Sequence, residues 1–175
     1  MENQVTLTPI NDKEVGKFVF AIDTKATNLY GPVEAYAYVV VDGKKELKDS
    51  HKLTIKANIV EDFSSLTIEQ KQQSPMLETK AVVDLGSIAA GKHLKGQIRV
   101  KNIGVNPLHI RRAYSADKQI MLKPCKAVKS SRTGVIQVDI NTQGRNPGKY
   151  SREVVIISND YEHSIQKVTL MWTVQ

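Results

Sequence analysis

A single cysteine, Cys125, occurs in 175 residues, so no disulfide can close within the chain. A nucleophilic role for it would need a base and an orienting group nearby, and the surrounding loop, with Pro124 beside it, offers neither. Aromatic residues amount to only 6%, which leaves Val, Ile and Leu to fill the core. No apolar run approaches the roughly 20 residues that span a bilayer. The opening Met-Glu-Asn-Gln lacks the basic start and apolar stretch of a signal peptide, so the chain reads as cytosolic or as a piece of a longer precursor. Also missing are a Gly-rich phosphate loop, a nucleophile elbow and a His-Glu-x-x-His pair, and no catalytic residue is assigned.

Charge of one sign is scarce in part of the chain. Residues 1–78 hold 9 Lys and Arg against 12 Asp and Glu, a net of −3, whereas residues 79–175 hold 16 against 6, a net of +10. The few acids of the second part are Asp84, Asp117, Asp139, Glu153, Asp160 and Glu162. Such an imbalance steers a domain toward polyanions or acidic neighbours, or simply keeps it soluble.

What the chain does have is alternation, and it has part of it twice. Phe18, Phe20 and Ile22 alternate after Gly16 and lead to Thr24; Ile136, Val138 and Ile140 alternate after Gly134 and lead to Thr142. Each copy then passes a glycine, Gly31 or Gly148, and turns at a polar pair, Asp42-Gly43 or Asn159-Asp160. Leu53-Thr54-Ile55 answers Val168-Thr169-Leu170 in the closing strand. The spacing predicts an all-β chain of tandem immunoglobulin-like antiparallel sandwiches, the first truncated to its carboxyl-terminal half. The expected boundaries are a partial module at 1–60, a linker with a short helix at 61–77 and a complete sandwich at 78–175.

Strands of the first module are expected near 4–9, 16–24, 33–41 and 51–59. In the linker, Thr67 and Gln70 form a capping box ahead of one or two helical turns that stop at Ser74-Pro75. Seven strands are expected in the second module, at 80–85, 95–102, 107–113, 118–123, 134–141, 149–158 and 165–174. Val168, Leu170, Trp172 and Val174 share a face, which places Trp172 in the core or at an interface.

The second module resembles a bacterial immunoglobulin-like family, domain of unknown function 1573, within the broader Hydin-like sandwich superfamily. The resemblance is carried by Asp84-Leu85-Gly86 with Gly91, by Val100-Lys101-Asn102-Ile103-Gly104, by Pro107-Leu108-His109-Ile110, and by Gly148 with Ser158-Asn159-Asp160. The central set reads as a hairpin in which Asn102 and Gly104 permit a tight turn, and Leu108 and Ile110 return the chain to the core. Where that family often carries Cys-Gly-Cys, this chain has Asp117-Lys118-Gln119, so no redox or metal role follows. The resemblance implies a protein exported to the bacterial cell envelope or periplasm.

Candidate sites are few. His51, His93, His109 and His163 form no pair at metal-ligand spacing, and Asn159, Asp160, Glu162 and His163 read as a polar hairpin turn in place of a metal site. Asp84 is expected to accept local backbone N–H groups, and Asp139 to face solvent. The best polyanion candidate is Arg111, Arg112, Lys123, Lys126, Lys129 and Arg132; with only Tyr114 nearby for stacking, nucleic acid is disfavoured as its ligand. The reading is therefore a noncatalytic structural or interaction module without cofactor, with polyanion binding as the alternative. Its partners would be other proteins, neighbouring modules or a second copy joined through the truncated module.

Overall fold

The computed structural model describes residues 5–7, 18–20, 29–39 and 48–175. They belong to two compact units, 1–59 and 60–175. In the first, β1 (Val5–Leu7) pairs antiparallel with β2 (Phe18–Phe20), and β3 (Gly31–Tyr38) with β4 (Lys52–Ile59). Tyr36 and Tyr38, two apart and so on one face of β3, meet edge to face at 6.3 Å. The expected Asp42-Gly43 turn lies outside the described residues.

The second unit begins with the segment expected to be a linker. Its helix α1 (Ile68–Gln72) starts at Thr67, whose hydroxyl accepts the Gln70 N–H while the Gln70 side chain accepts the Thr67 N–H, the reciprocal box expected from the sequence. An unexpected short strand, β5 (Leu77–Thr79), follows. Then come the seven expected strands: β6 (Val82–Ile88), β7 (His93–Asn102), β8 (Ile110–Tyr114), β9 (Ile120–Lys123), β10 (Thr133–Asn141), β11 (Gly148–Ser158) and β12 (Ile165–Val174).

Two four-stranded sheets result, in the orders β5-β7-β10-β9 and β6-β12-β11-β8. Every ladder is antiparallel except that of β6 on β12. This is the immunoglobulin arrangement with its first strand divided, β5 joining one sheet and β6 the other. Strands β11 and β12 pair antiparallel, as β3 and β4 do in the first unit. The remaining correspondence between 16–59 and 134–174 falls largely outside the described residues.

Alternation dictates the layering, because each strand has one apolar face to hide. Ile98 and Val100 from β7, Ile136, Val138 and Ile140 from β10, Val154 and Ile156 from β11, and Val168, Leu170, Trp172 and Val174 from β12 form the buried core between the sheets. Burying each aliphatic side chain contributes about 1.5–3 kcal/mol. Trp172, a core residue as expected, stacks on its cross-strand partner Tyr150 with centroids 5.5 Å apart.

One expectation is corrected. The chain from Asn102 to Ile110 is not a hairpin: β7 and β8 lie in different sheets, and the connection carries the chain from one layer to the other. Leu108, fully buried, does return it to the core, bridging to Val128. Nor does Gly104 serve a left-handed turn, since it is not among the residues with positive φ. It is small because the backbone of 74–76 runs against it. A Cβ there would lie 2.3 Å from Ser74 O, 2.5 Å from Met76 N and 2.7 Å from Pro75 C, none of which belongs to a yielding side chain.

Gly104→Ala is therefore expected to lower unfolding stability by about 1–3 kcal/mol through overpacking. Denaturant titration would test this, and a variant as stable as the parent would show that the contact is loose.

Candidate functional site

The buried polar side chains Ser74, Asn102, Ser158 and Asp160 lie where the incoming chain meets the sandwich. Asp160 is 1% exposed. Its Oδ2 accepts the Leu77 N–H at 2.8 Å, and its Oδ1 accepts the N–H groups of Glu162 and His163, each at 3.0 Å. Asn102, with no exposed surface, uses both ends of its amide. Its Oδ1 accepts from Gly104 N and Met76 N, and its Nδ2 donates to the carbonyls of Asn106 and Val128. The Ser74 hydroxyl accepts the Tyr161 N–H, and Gln166 donates to Leu77 O. Ile103, Val105 and Asn106 donate their N–H groups to the carbonyls of Met76, Ser74 and Gln73.

Farther upstream, Phe63 meets the Tyr161 ring edge to face at 6.3 Å, and Lys71 Nζ lies 5.4 Å over the same ring. Arg111 closes the arrangement, donating from Nε and Nη2 to the two Glu61 oxygens at 2.9 and 2.6 Å. It is the extra residue of a bulge, since Arg112 pairs with Ile157 and Ile110 with Ser158. Bulges re-aim side chains in this way. The segment 61–77, expected to be a spacer, is thus an arm fastened along its length to the second unit.

Several residues singled out in the sequence have definite partners here. The carboxylate of Asp160 is committed to three backbone N–H groups, and Asn159 bridges to the sheet-crossing loop, accepting from His109 N and donating to Pro107 O. No group of His, Cys, Asp and Glu suited to a metal ion occurs among the described residues. Asp84 accepts the Gly86 N–H, as expected. Asp139 lies on the outer face and accepts a hydrogen bond from His93 Nδ1 at 2.7 Å. Cys125 is half-buried and packs over Gly134, whose Cβ position would lie 2.7 Å from its sulfur.

The six basic candidates separate. Arg111 is bound to Glu61, and Arg112 lies over Tyr114, its guanidinium 4.9 Å from the ring centroid. Lys123, Lys126, Lys129 and Arg132 stay exposed along the connection from β9 to β10, where no acidic residue interrupts 118–138.

A second feature, invisible to motif reasoning, is a groove of about 450 Å³ on the outer face of the sheet that ends at β9. It is lined by Lys95, Met121, Leu122, Lys123, Gln137, Val138 and Asp139. Alternation alone could have placed Lys95, Asp139 and Met121 on one face, but only the register puts them in a row across three strands.

Residues 75–171 match the family described as HYDIN/CFA65/VesB-like, Ig-like domain. The chain belongs to that family. None of the curated proteins matches it. Among solved structures, this HYDIN-like Ig domain chain resembles a protein of unknown function from Porphyromonas gingivalis W83, with 14% identity, 97% of this chain and 79% of that chain covered, and a TM-score of 0.61. Two others are the VesB protease of Vibrio cholerae, at 12% identity over 57% of this chain and 31% of that one, TM-score 0.43, and PapD-like domain 7 of human CEP192, at 9% identity over 68% and 93%, TM-score 0.42. At such identities the first likeness shows the fold alone.

At the connection from β8 to β9 this HYDIN-like domain builds an ion-pair cluster. Asp117 Oδ2 accepts from Arg145 Nη2 at 2.7 Å and from Arg152 Nε at 3.0 Å, and Asp117 Oδ1 accepts the Gln119 N–H. The Arg145 guanidinium also lies over the rings of Tyr150 and Trp172, at 5.2 and 5.5 Å. Arg145 Nε and Trp172 Nε1 are buried without a hydrogen-bond partner among the described residues. Burial by itself would raise the Asp117 pKa, but the Arg145 hydrogen bond, the Gln119 N–H, the Arg145 charge and Arg152 outweigh it and hold the carboxyl below its ordinary 3.8.

A depressed folded-state pKa stabilises fully above the unfolded value and is lost as pH falls through the folded one. Asp117→Asn should thus cost about 2 kcal/mol at neutral pH, and the gap from the parent should narrow as unfolding is measured at successively lower pH below 3.8. A gap that stays constant with pH would contradict the assignment.

Proposed function

We propose that the chain is a noncatalytic interaction and spacer module of a bacterial cell-envelope protein, of the domain of unknown function 1573 type. The observation that carries this reading is the fastened arm: two buried polar side chains of the second unit, Asn102 and Asp160, accept the Met76 and Leu77 N–H groups of the backbone that leads into it. A side chain committed to four or three backbone partners is fixed for architecture, and it sets the direction in which the chain leaves the sandwich. Export to the envelope rests on the sequence resemblance. The partners proposed are other proteins, neighbouring Ig-like modules and a second copy of the chain engaged through the first unit.

A specific observation also favours a narrower second reading, in which a polyanion such as an acidic polysaccharide binds Lys123, Lys126, Lys129 and Arg132. These four exposed cations have no acidic residue in the intervening sequence, and Arg111 and Arg112 are turned to other uses.

Trypsin cleavage after Lys71 tests the spacer reading. The parent should resist, and Asp160→Ala or Glu61→Gln should be cut faster there, about tenfold for each 1.4 kcal/mol of local stability lost. Rapid cleavage of the parent at Lys71 would overturn it. Binding to an acidic polysaccharide across a salt series tests the second reading: a steep fall with salt supports it, and absence of binding at low salt removes it.

A further inference from the structure

We propose that strand β9 and the groove beside it form a docking site for an extended acidic segment of a partner protein, added to the sheet as a fifth strand; this rests on the reading of the domain as an interaction module. Strand β9 has a neighbour, β10, on one side only. The backbone of a sheet edge is a template for a further strand. The face beside that edge is not the usual solvated one. Met121 is 62% exposed, and the groove of about 450 Å³ beside it has mostly apolar walls.

Charge selects the occupant. Two cations, Lys95 and Lys123, line the groove, and neither forms an ion pair among the described residues. The one carboxylate there, Asp139, already accepts a hydrogen bond from His93 at 2.7 Å. The region 79–175 carries a net +10, so a second copy would bring like charge to like, while an acidic segment is drawn in. Register then defines what the segment presents. Met121 and Lys123 are two residues apart and point to the same face, as will residues two apart on an incoming strand. The segment needs an aliphatic side chain beside Met121 and a carboxylate beside Lys123, giving an aliphatic-x-acidic repeat.

The site differs in kind from a polyanion patch, because the added strand must offer its own N–H and C=O groups. A fluorescent peptide repeating Val-Thr-Glu-Thr, which sets Val and Glu two residues apart on one face, is a direct probe, read by anisotropy and by NMR shifts of the full chain. Saturable binding with shifts centred on Ile120–Lys123 is the expected result. Met121→Asp should weaken it at least tenfold, and Lys123→Glu severalfold, with thermal melting of both variants matching the parent because both side chains are exposed. A peptide with Lys in place of Glu, or with a central proline, should not bind.

Four outcomes would overturn the proposal: no saturable binding, binding indifferent to the proline, competition by heparin that matches the peptide site for site, or a concentration-dependent dimer using the same edge. None of these touches the arm of 61–77, so the proteolysis result for the spacer reading stands or falls separately.

Discussion

A buried backbone group must be given a partner, and the second unit meets this demand with side chains where no strand is available to do it. The sheet ladders end near Asn102 and Ser158, yet the chain continues through 73–77, 103–106 and 159–163, all packed together. Each donor or acceptor left unpaired there would cost about 1–3 kcal/mol. Asn102 suits its place because an amide both donates and accepts, linking two carbonyls to two N–H groups. Asp160 suits its own because a carboxylate only accepts, and three N–H groups donate to it. Gly104 completes the constraint, since it alone lets the third strip of backbone approach.

The rest of the unit is arranged around that junction. The sheets supply cohesion through an aliphatic core, whereas the junction fixes 73–77 against 103–106 and 160–163. Arg111, re-aimed by the bulge, extends the hold upstream to Glu61. Arg145 from the β10–β11 connection and Arg152 from β11 converge on Asp117 in the β8–β9 connection, so acids scarce in sequence are used to neutralise arginines. The lysines around β9, Lys123, Lys126 and Lys129, instead stay exposed.

Much of the architecture was legible in the sequence, because period-two alternation is a direct imprint of a two-layer sandwich. All seven strands expected between 80 and 174 exist, Trp172 is in the core, and the Thr67–Gln70 box caps its helix. What alternation cannot report is which strand pairs with which. Asn102-x-Gly104 therefore looked like a hairpin turn, whereas the chain there crosses between sheets. Strand β5 was hidden because three residues are too few to show a period. Asp160 looked like an ordinary turn residue, since its most distant partner, Leu77, lies 83 positions away. Arg111 looked like a free cation for the same reason, being 50 positions from Glu61.

The central claim is that buried side chains hold the incoming arm as firmly as the ladders hold the strands. Amide hydrogen exchange of the full chain reads this residue by residue. Protection of the Met76, Leu77 and Gly104 amides comparable to that of the paired amides of β7 and β10, lost at Leu77 on Asp160→Asn, is the predicted result. Exchange of those three amides at the rate of an open loop while β7 and β10 stay protected would contradict it.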